Sequence, residues 1–219
     1  MNVLIVSPHP DDETLGAGGT LLKYKYNGNK IFWLNITNMK EEYGYKKEIV
    51  EIRKEQILRV REEFQFDDYY DLELKPACLE NYESDSIIKR ISLIIDTIKP
   101  NVLILPNRSD IHSDHKKVFD WCYSCTKIFR YSYIKMILTM EILSETDFGV
   151  IDNYFVPNYY VDITDYFQHK SNILQIYESE LAQHPFPRSI EGIEAIAKYR
   201  GISAGSKYAE AFKVLKIID

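Results

Sequence analysis

Cysteine is scarce in this chain: its 219 residues include only Cys78, Cys122 and Cys125. A small, odd number of cysteines excludes the disulfide framework that is typical of small secreted domains. Cys122 and Cys125 have the spacing of a CxxC redox pair, but they lie within a predicted helix rather than at the helix N-terminus that lowers a thiol pKa. We therefore interpret them as small apolar residues of that helix.

The chain also lacks a run of basic residues and a long uninterrupted apolar segment. Its net charge of −6 makes nucleic acid and anionic membranes poor partners. No segment reaches the length of a membrane span, and the N-terminus lacks the basic and apolar regions of a signal peptide, so we expect a cytoplasmic protein. A chain with 45% hydrophobic and 27% charged residues can bury a sizeable core without disulfides or metal.

The first two thirds of the chain alternate between strand and helix patterns. The predicted strands are Asn2–Ser7, Lys30–Asn38, Asp68–Leu74, Asn101–Pro106 and Tyr133–Glu141. The predicted helices are Thr14–Tyr26, Lys46–Phe64, Asp85–Ile98 and Ser113–Arg130. This alternation predicts the α/β class and a Rossmann-like three-layer fold with a mostly parallel central sheet.

The last third is less regular. We expect one domain, 1–219, with a Rossmann-like core over about 1–145 and an irregular C-terminal extension over about 146–219 that shapes the pocket. Within the extension, Phe155–Val161 is a predicted strand, and Asp165–Leu181 and Ile190–Arg200 are predicted helices, the latter with Ser189 as its N-cap. The pattern of Ala209–Ile218 fits either a strand or a helix.

Two predicted strands end in loops that are rich in histidine and carboxylates. The first apolar run, 3–6, leads into Pro8-His9-Pro10-Asp11-Asp12-Glu13, and the run 102–105 leads into Asp110-Ile111-His112-Ser113-Asp114-His115. In the Rossmann-type strand order 3-2-1-4-5, the first and fourth strands are neighbours, so both loops lie at one edge of the sheet. Imidazole and carboxylate groups that converge there predict a divalent metal site.

Both loops also have a purely structural interpretation. Asp11 or Asp12 would cap the following helix well, but a cap does not explain His9. His112 and His115 by themselves fit a solvated polar loop, yet three of the chain's five histidines fall in these two loops, which favours the metal site.

The segment Gly16-Ala17-Gly18-Gly19 resembles part of a dinucleotide-binding fingerprint. In that fingerprint the glycines form the turn directly after the strand, where their N–H groups bind phosphate. Here carboxylates occupy the turn and would repel phosphate, while the glycines fall inside the first helix. They are better explained by close approach of this helix to the sheet.

The two loop motifs resemble the signatures (P/A)HPDDE and HxDH of the PIG-L (LmbE-like) family of zinc-dependent N-deacetylases. Further segments that look like the family are 141–146, 157–163, Arg188-Ser189 and 200–212, so the likeness extends through nearly the whole chain. The resemblance implies His9, Asp12 and His115 as zinc ligands, Asp11 as general base, His112 as the group that stabilises the oxyanion and Asp114 as the residue that orients a histidine.

The resemblance also implies a reaction: removal of the N-acetyl group from an N-acetylglucosamine-type sugar or glycoconjugate, which releases acetate and a free amine. Zinc with three protein ligands lowers the pKa of bound water to roughly 7, and a protonated His112 is expected to stabilise the oxyanion. Iron(II) or another divalent ion suits the same donors.

Arg53, which looks like a helix arginine of the family, and Glu13 are predicted to contact the substrate. Gln56 replaces a usual glutamate, and Ala77-Cys78-Leu79-Glu80 replaces an Asp-Gly-Leu-like loop, so the sequence leaves the sugar and its aglycone open. A zinc amidase for a larger acyl group or a thiol conjugate, and a non-catalytic sugar-binding protein that keeps the metal pocket, also stay open. A homo-oligomer is compatible with the sequence.

Overall fold

The computed structural model of the chain describes residues 1–149 and 154–219. Its strands are β1 Asn2–Ser7, β2 Lys30–Thr37, β3 Asp68–Leu74, β4 Val102–Leu105, β5 Met136–Met140, β6 Tyr159–Asp162 and β7 Ala209–Ile217. Within the described residues they form one sheet in the order β3-β2-β1-β4-β5-β7-β6. Strands β1 to β5 are parallel, whereas β7 is antiparallel to both of its neighbours. The predicted order 3-2-1-4-5 of a mostly parallel sheet is confirmed.

Helices cover both faces of this sheet. They are α1 Asp12–Tyr26, α2 Lys47–Phe64, α3 Ser84–Ile98, α4 Ser113–Tyr123, α5 Phe167–Leu174 and α6 Ile190–Ala204. Because successive strand residues point to opposite faces, Val3 and Ile5 of β1 pack in the cluster that includes α1, α2, α5 and α6, whereas Leu4 and Val6 pack in the cluster with α3 and α4. The predicted three-layer fold is confirmed.

Helix α4 ends at Tyr123, seven residues before the predicted end at Arg130. The hydroxyls of Ser124 and Thr126 donate to the carbonyls of Asp120 and Tyr123, and such local hydrogen bonds compete with continuation of the helix. Cys125 therefore lies beyond the helix, although it is buried.

The predicted helix Asp165–Leu181 is two shorter pieces, α5 and the 3₁₀ segment Gln175–Glu180. Tyr177 has non-helical backbone angles and is completely buried, with its hydroxyl donating to Glu13. This tertiary hydrogen bond and the burial of the ring override a sequence pattern that is helical throughout.

The C-terminal strands also differ from their predicted bounds. Strand β6 starts at Tyr159 rather than Phe155 and follows Pro157, which has no N–H for a sheet. The ambiguous segment at the end of the chain is a strand, β7, because it pairs with both β5 and β6. The prediction for α6 is confirmed at its start, where the Ser189 hydroxyl accepts the Gly192 N–H at 3.0 Å.

No helix in the described part of the chain is both long and apolar enough to cross a membrane.

Candidate functional site

The loops that follow β1 and β4 lie side by side, because these two strands pair in parallel. The first loop contains His9, Asp12 begins α1, and His115 lies in the first turn of α4. One nitrogen of each histidine and one oxygen of Asp12 all lie within 4.8 Å of one another. The structure therefore brings together the three residues that were predicted to hold a metal, and we call them the metal group.

Each histidine of the metal group has a carboxylate at its other nitrogen. His9 Nε2 lies 3.0 Å from Asp114 Oδ2, and His115 Nδ1 lies 2.8 Å from Asp110 Oδ2. The remaining nitrogens, His9 Nδ1 and His115 Nε2, each lie 3.4 Å from Asp12 Oδ2. Carboxylates in this position fix the ring orientation of metal-binding histidines and raise their basicity.

His115 Nε2 tests whether a metal fits this group. The side chain is completely buried, and this nitrogen has no hydrogen-bond partner within the described residues. Because an unsatisfied buried polar atom costs free energy, a ligand is expected beside it. Two imidazoles and one carboxylate form a donor set that suits catalytic zinc, and iron(II) as well. The residues present therefore fit the predicted cofactor.

His9, His112 and Asp114 are a second set whose donor atoms lie within 4.8 Å of one another. Two of these candidate ligand atoms already accept hydrogen bonds from backbone N–H groups. Asp114 Oδ2 accepts from Ala77 at 2.7 Å, and His112 Nδ1 accepts from Asp114 at 3.1 Å. The set with the free His115 nitrogen is therefore the better candidate.

The electrostatics of the metal group favour a cation. Burial opposes the charged form of Asp12, but His115 and His9 outweigh it and hold the pKa of that carboxyl far below its usual range. Burial also opposes the charged form of His115, yet Asp12 and Asp110 raise its pKa to about 10. Protons on the histidines thus balance the carboxylates, and a divalent ion would replace that positive charge.

Asp11 precedes Asp12 directly but makes different contacts. Its carboxylate accepts from Arg188 Nη1 at 3.1 Å, and its N–H donates to Glu13 Oε2 at 3.0 Å. Its φ of 150° is a conformation that non-glycine residues rarely adopt. Burial and the charge of Asp12 raise the pKa of Asp11 well above its usual range. A carboxylate outside the ligand group with a raised pKa is suited to accept a proton.

His112 lies beside His9, with ring centroids 4.6 Å apart. Its Nδ1 accepts the Asp114 N–H, which leaves Nε2 as the protonated nitrogen of a neutral ring. Burial and the neighbouring His9 lower the pKa of His112. The expectation that this ring is protonated is therefore corrected, because one nitrogen already serves as an acceptor.

Arg53, Glu180 and Arg188 form a charged network next to Asp11. Arg53 donates to Pro10 O at 2.7 Å and to Glu180 Oε1, and Glu180 Oε2 lies 3.7 Å from Arg188 Nη1. Arg53 was predicted from the sequence to contact the substrate, whereas Glu180 and Arg188 had no predicted role. Arg188 stood out only in a segment of family likeness. Glu180 lies near the end of the predicted helix Asp165–Leu181, which contains other charged residues, so nothing in the pattern singled it out.

Glu13 lies beneath the site and has no exposed surface. Its carboxylate accepts hydrogen bonds from Asp11 N, the Thr14 hydroxyl at 2.6 Å and the Tyr177 hydroxyl at 3.2 Å. The prediction that Glu13 contacts the substrate is therefore corrected: in this structure its contacts hold the backbone of Asp11.

A cavity of about 240 Å³ lies next to the metal group. Besides His9, Asp11, Asp12 and His112, the residues that line it are Pro10, Thr37, Asn38, Met39, Tyr45, Arg53, Pro76, Glu145, Glu180 and Arg188. His9 and Asp12 of the metal group, the Asp11 carboxylate and the network of Arg53 thus share one cavity.

Comparison with known proteins identifies the family of this chain. Residues 4–125, more than half of the chain, match the PIG-L family, described as GlcNAc-PI de-N-acetylase. The diacetylchitobiose deacetylase of Thermococcus kodakarensis is 24% identical over 96% of this chain and 82% of that protein. The probable N-acetyl-alpha-D-glucosaminyl L-malate deacetylase 2 of Bacillus subtilis is 26% identical over 67% of this chain and 73% of its own length.

The fold of this chain is also similar to that of a solved structure. The crystal structure of the conserved protein TT1542 from Thermus thermophilus superposes with a TM-score of 0.78 at 22% identity, covering 99% of this chain and 96% of that one. Both loops that build the metal group lie inside the matched residues 4–125, and the chain belongs to the PIG-L family of deacetylases.

Proposed function

We propose that this protein removes the N-acetyl group from an N-acetylglucosamine-type sugar or conjugate, with zinc bound by His9, Asp12 and His115. The observation that carries the proposal is the buried, unpartnered Nε2 of His115, which lies 3.4 Å from Asp12, a residue that lines the cavity together with Asp11. The names of the two relatives support this substrate class, since one is a diacetylchitobiose deacetylase and the other a probable N-acetyl-alpha-D-glucosaminyl L-malate deacetylase.

Zinc in this position would supply Lewis acidity toward the acetyl carbonyl and the attacking water. Asp11 takes the proton of that water and then delivers it to the leaving amine, which is the role its raised pKa favours. Arg188 holds the carboxylate from one side, and Glu13 holds the backbone of Asp11 from the other.

In this proposal His112 contributes a neutral hydrogen-bond donor rather than a positive charge. Its Nε2–H stabilises the acetyl oxygen as negative charge develops there, a contribution of about 3–4 kcal/mol for one such donor. The hydrogen bond from the Asp114 N–H to Nδ1 fixes the tautomer that makes this possible.

The size of the cavity favours a small group. Its volume of about 240 Å³ lies below the roughly 300–1,000 Å³ of pockets that enclose drug-sized ligands. It suits a single sugar ring with its acetyl group, and the rest of a conjugate would extend outside.

The test compares two kinds of variant of the zinc-loaded protein in an assay of acetate and amine release. Asp11→Asn, which keeps the size and shape of the side chain, is expected to lower kcat by at least about 100-fold with zinc retained. His115→Ala is expected to lose both zinc and activity. Asp120→Asn, an exposed carboxylate on α4 outside the cavity, is the control and should change neither.

The same assay separates the competing functions. Release of amine from N-acetyl substrates and a decline with acyl chain length support the deacetylase. Faster release from longer acyl groups identifies an amidase instead, and binding of N-acetyl sugars without any acetate identifies a sugar-binding protein.

A further inference from the structure

Both arginines of the cavity wall are already paired with carboxylates. Among the described residues that line the cavity, Arg53 and Arg188 are the two that belong to the lysine or arginine type. Arg53 donates to Glu180, while Arg188 donates to Asp11 at 3.1 Å and lies 3.7 Å from Glu180 Oε2. Residues 150–153, outside the described ranges, include no lysine or arginine.

Carboxylates outnumber these arginines in the same wall. The wall contains four carboxyl groups, those of Asp11, Asp12, Glu145 and Glu180, against two guanidinium groups. When all four carboxyl groups are ionised, a bound divalent metal ion and the two arginines balance their negative charge without any contribution from the substrate. An anionic group on the substrate would therefore find no uncompensated cation in this wall, and it would meet the carboxylates of Glu145 and Glu180.

We propose that the enzyme selects sugars without a negative group and that Glu180 sets this selection by occupying both arginines. The inference rests on the proposed function and narrows its substrate class to neutral N-acetylated amino sugars such as diacetylchitobiose. A conjugate such as an N-acetylglucosaminyl malate, which carries carboxylates, would be a poor substrate of this protein. An anion would have to displace Glu180 from Arg53, whose side chain is 5% exposed and is also fixed by its hydrogen bond to Pro10 O. Like charges placed together at a binding site are a common means of rejecting wrong partners.

The first experiment uses the zinc-loaded wild-type protein and three matched sugars: N-acetylglucosamine, its 1-phosphate and its 6-phosphate. We expect kcat/KM for acetate release to be at least about tenfold higher for the neutral sugar than for each phosphate ester. An equal or higher value for either ester overturns the inference.

The second experiment asks whether Glu180 is responsible. Glu180→Gln keeps the shape of the side chain and frees positive charge on Arg53 and Arg188. We expect the ratio of kcat/KM for the phosphate esters to that for the neutral sugar to rise at least about tenfold. The ratio within one variant is the readout, because a loss of Asp11 positioning would lower kcat for all three sugars alike.

Glu178→Gln is the matched control. Glu178 lies two residues earlier in the same 3₁₀ segment, is exposed and does not line the cavity. It removes the same charge without freeing an arginine, so the ratio should stay at the wild-type value. An equal rise in both variants indicates a general change in protein charge and contradicts the assignment to Glu180.

The outcomes distinguish this inference from the proposed function. If neither these three sugars nor diacetylchitobiose releases acetate from the zinc-loaded protein, the proposed function is wrong. Calorimetric binding of the same three sugars then still decides the charge selection, since tighter binding of a phosphate ester overturns it and tighter binding of the neutral sugar supports it.

Discussion

Arg188 donates a hydrogen bond from Nη1 to Asp11 Oδ2 at 3.1 Å and so joins residues 177 positions apart in the chain. Asp11 lies in the loop after β1, whereas Arg188 lies just before α6 and outside the residues that match the PIG-L family. The C-terminal third of the chain therefore contributes to the environment of the proposed base, even though the metal group comes entirely from the first 115 residues.

Arg188→Gln should lower kcat by about 10- to 100-fold, because a small displacement of a reacting group has effects of this order. Zinc content should stay at the wild-type value, since Arg188 contacts none of the three metal-group residues in the hydrogen-bond pattern. Arg108→Gln is the control, because Arg108 is exposed and its ion-pair partner among the described residues is Asp120, away from the cavity. Loss of zinc together with activity would show that Arg188 supports the metal group rather than the base.

Asp110→Asn should weaken zinc binding by about 10- to 100-fold, which is the usual effect of removing a carboxylate behind a metal-binding histidine. Asp110 Oδ2 accepts from His115 Nδ1 at 2.8 Å, and its other oxygen accepts from the Thr146 hydroxyl at 2.8 Å. Competition with a chelator measures the zinc affinity. Asp120→Asn on the exposed side of α4 should leave that affinity unchanged, and an unchanged value for Asp110→Asn would contradict the orienting role.

Much of the fold could be predicted because its signals are local. The isoleucines of α3 that face the sheet recur at helical spacing, and Lys99, with its φ of 50°, and Pro100 end that helix. The bounds of β1 and β3 coincide with the prediction, since their apolar or aromatic runs are framed by polar or turn residues. At Tyr177 tertiary contacts determine the backbone conformation, and there the helical sequence pattern was misleading.

The metal group could also be predicted, since each of its members adjoins the end of an apolar strand or the start of the next helix. Two features depend on contacts between distant segments and left no local signal. The pairing of Glu180 with Arg53 spans 127 positions, and the neutral state of His112 follows from a backbone N–H at its Nδ1. Glu13, predicted from its place in the motif, was misassigned because its burial arises from packing with Tyr177.

Lys170→Met should lower the free energy of unfolding by about 3–5 kcal/mol, the usual cost of removing one partner of a buried ion pair. Lys170 Nζ lies 2.7 Å from Glu210 Oε1, with both side chains 5% exposed, and the Glu210 carboxylate also accepts from Gly19 N and Thr20 N in α1. Denaturant unfolding at a fixed zinc concentration measures the effect.

The control for this pair is Lys198→Met, which removes an exposed partner of Glu194 on α6. Isolated exposed ion pairs contribute little, so this variant should unfold at nearly the wild-type denaturant concentration. An equally small effect of Lys170→Met would mean that Glu210 is satisfied by the two amides of α1 alone.

The glycines of α1 provide a second stability test, because the two positions differ in the stiffness of the neighbouring side chain. A Cβ at Gly19 would lie 2.8 Å from three carbons of Ile163, including its Cβ. A Cβ at Gly16 would lie 2.6 and 2.8 Å from Sδ and Cγ of the flexible Met140 side chain and 3.1 Å from Cγ1 of Ile142. Ile163 is β-branched and cannot turn away easily, so Gly19→Ala should destabilise the fold by about 1–3 kcal/mol.

Met140 can move, and alanine is favoured over glycine in a helix by up to about 1 kcal/mol, so Gly16→Ala should cost less than Gly19→Ala. Chemical unfolding of the two variants side by side gives the comparison. The order of the two effects is the decisive result: if Gly16→Ala is the more damaging, close approach at Gly19 is not what requires glycine in this helix.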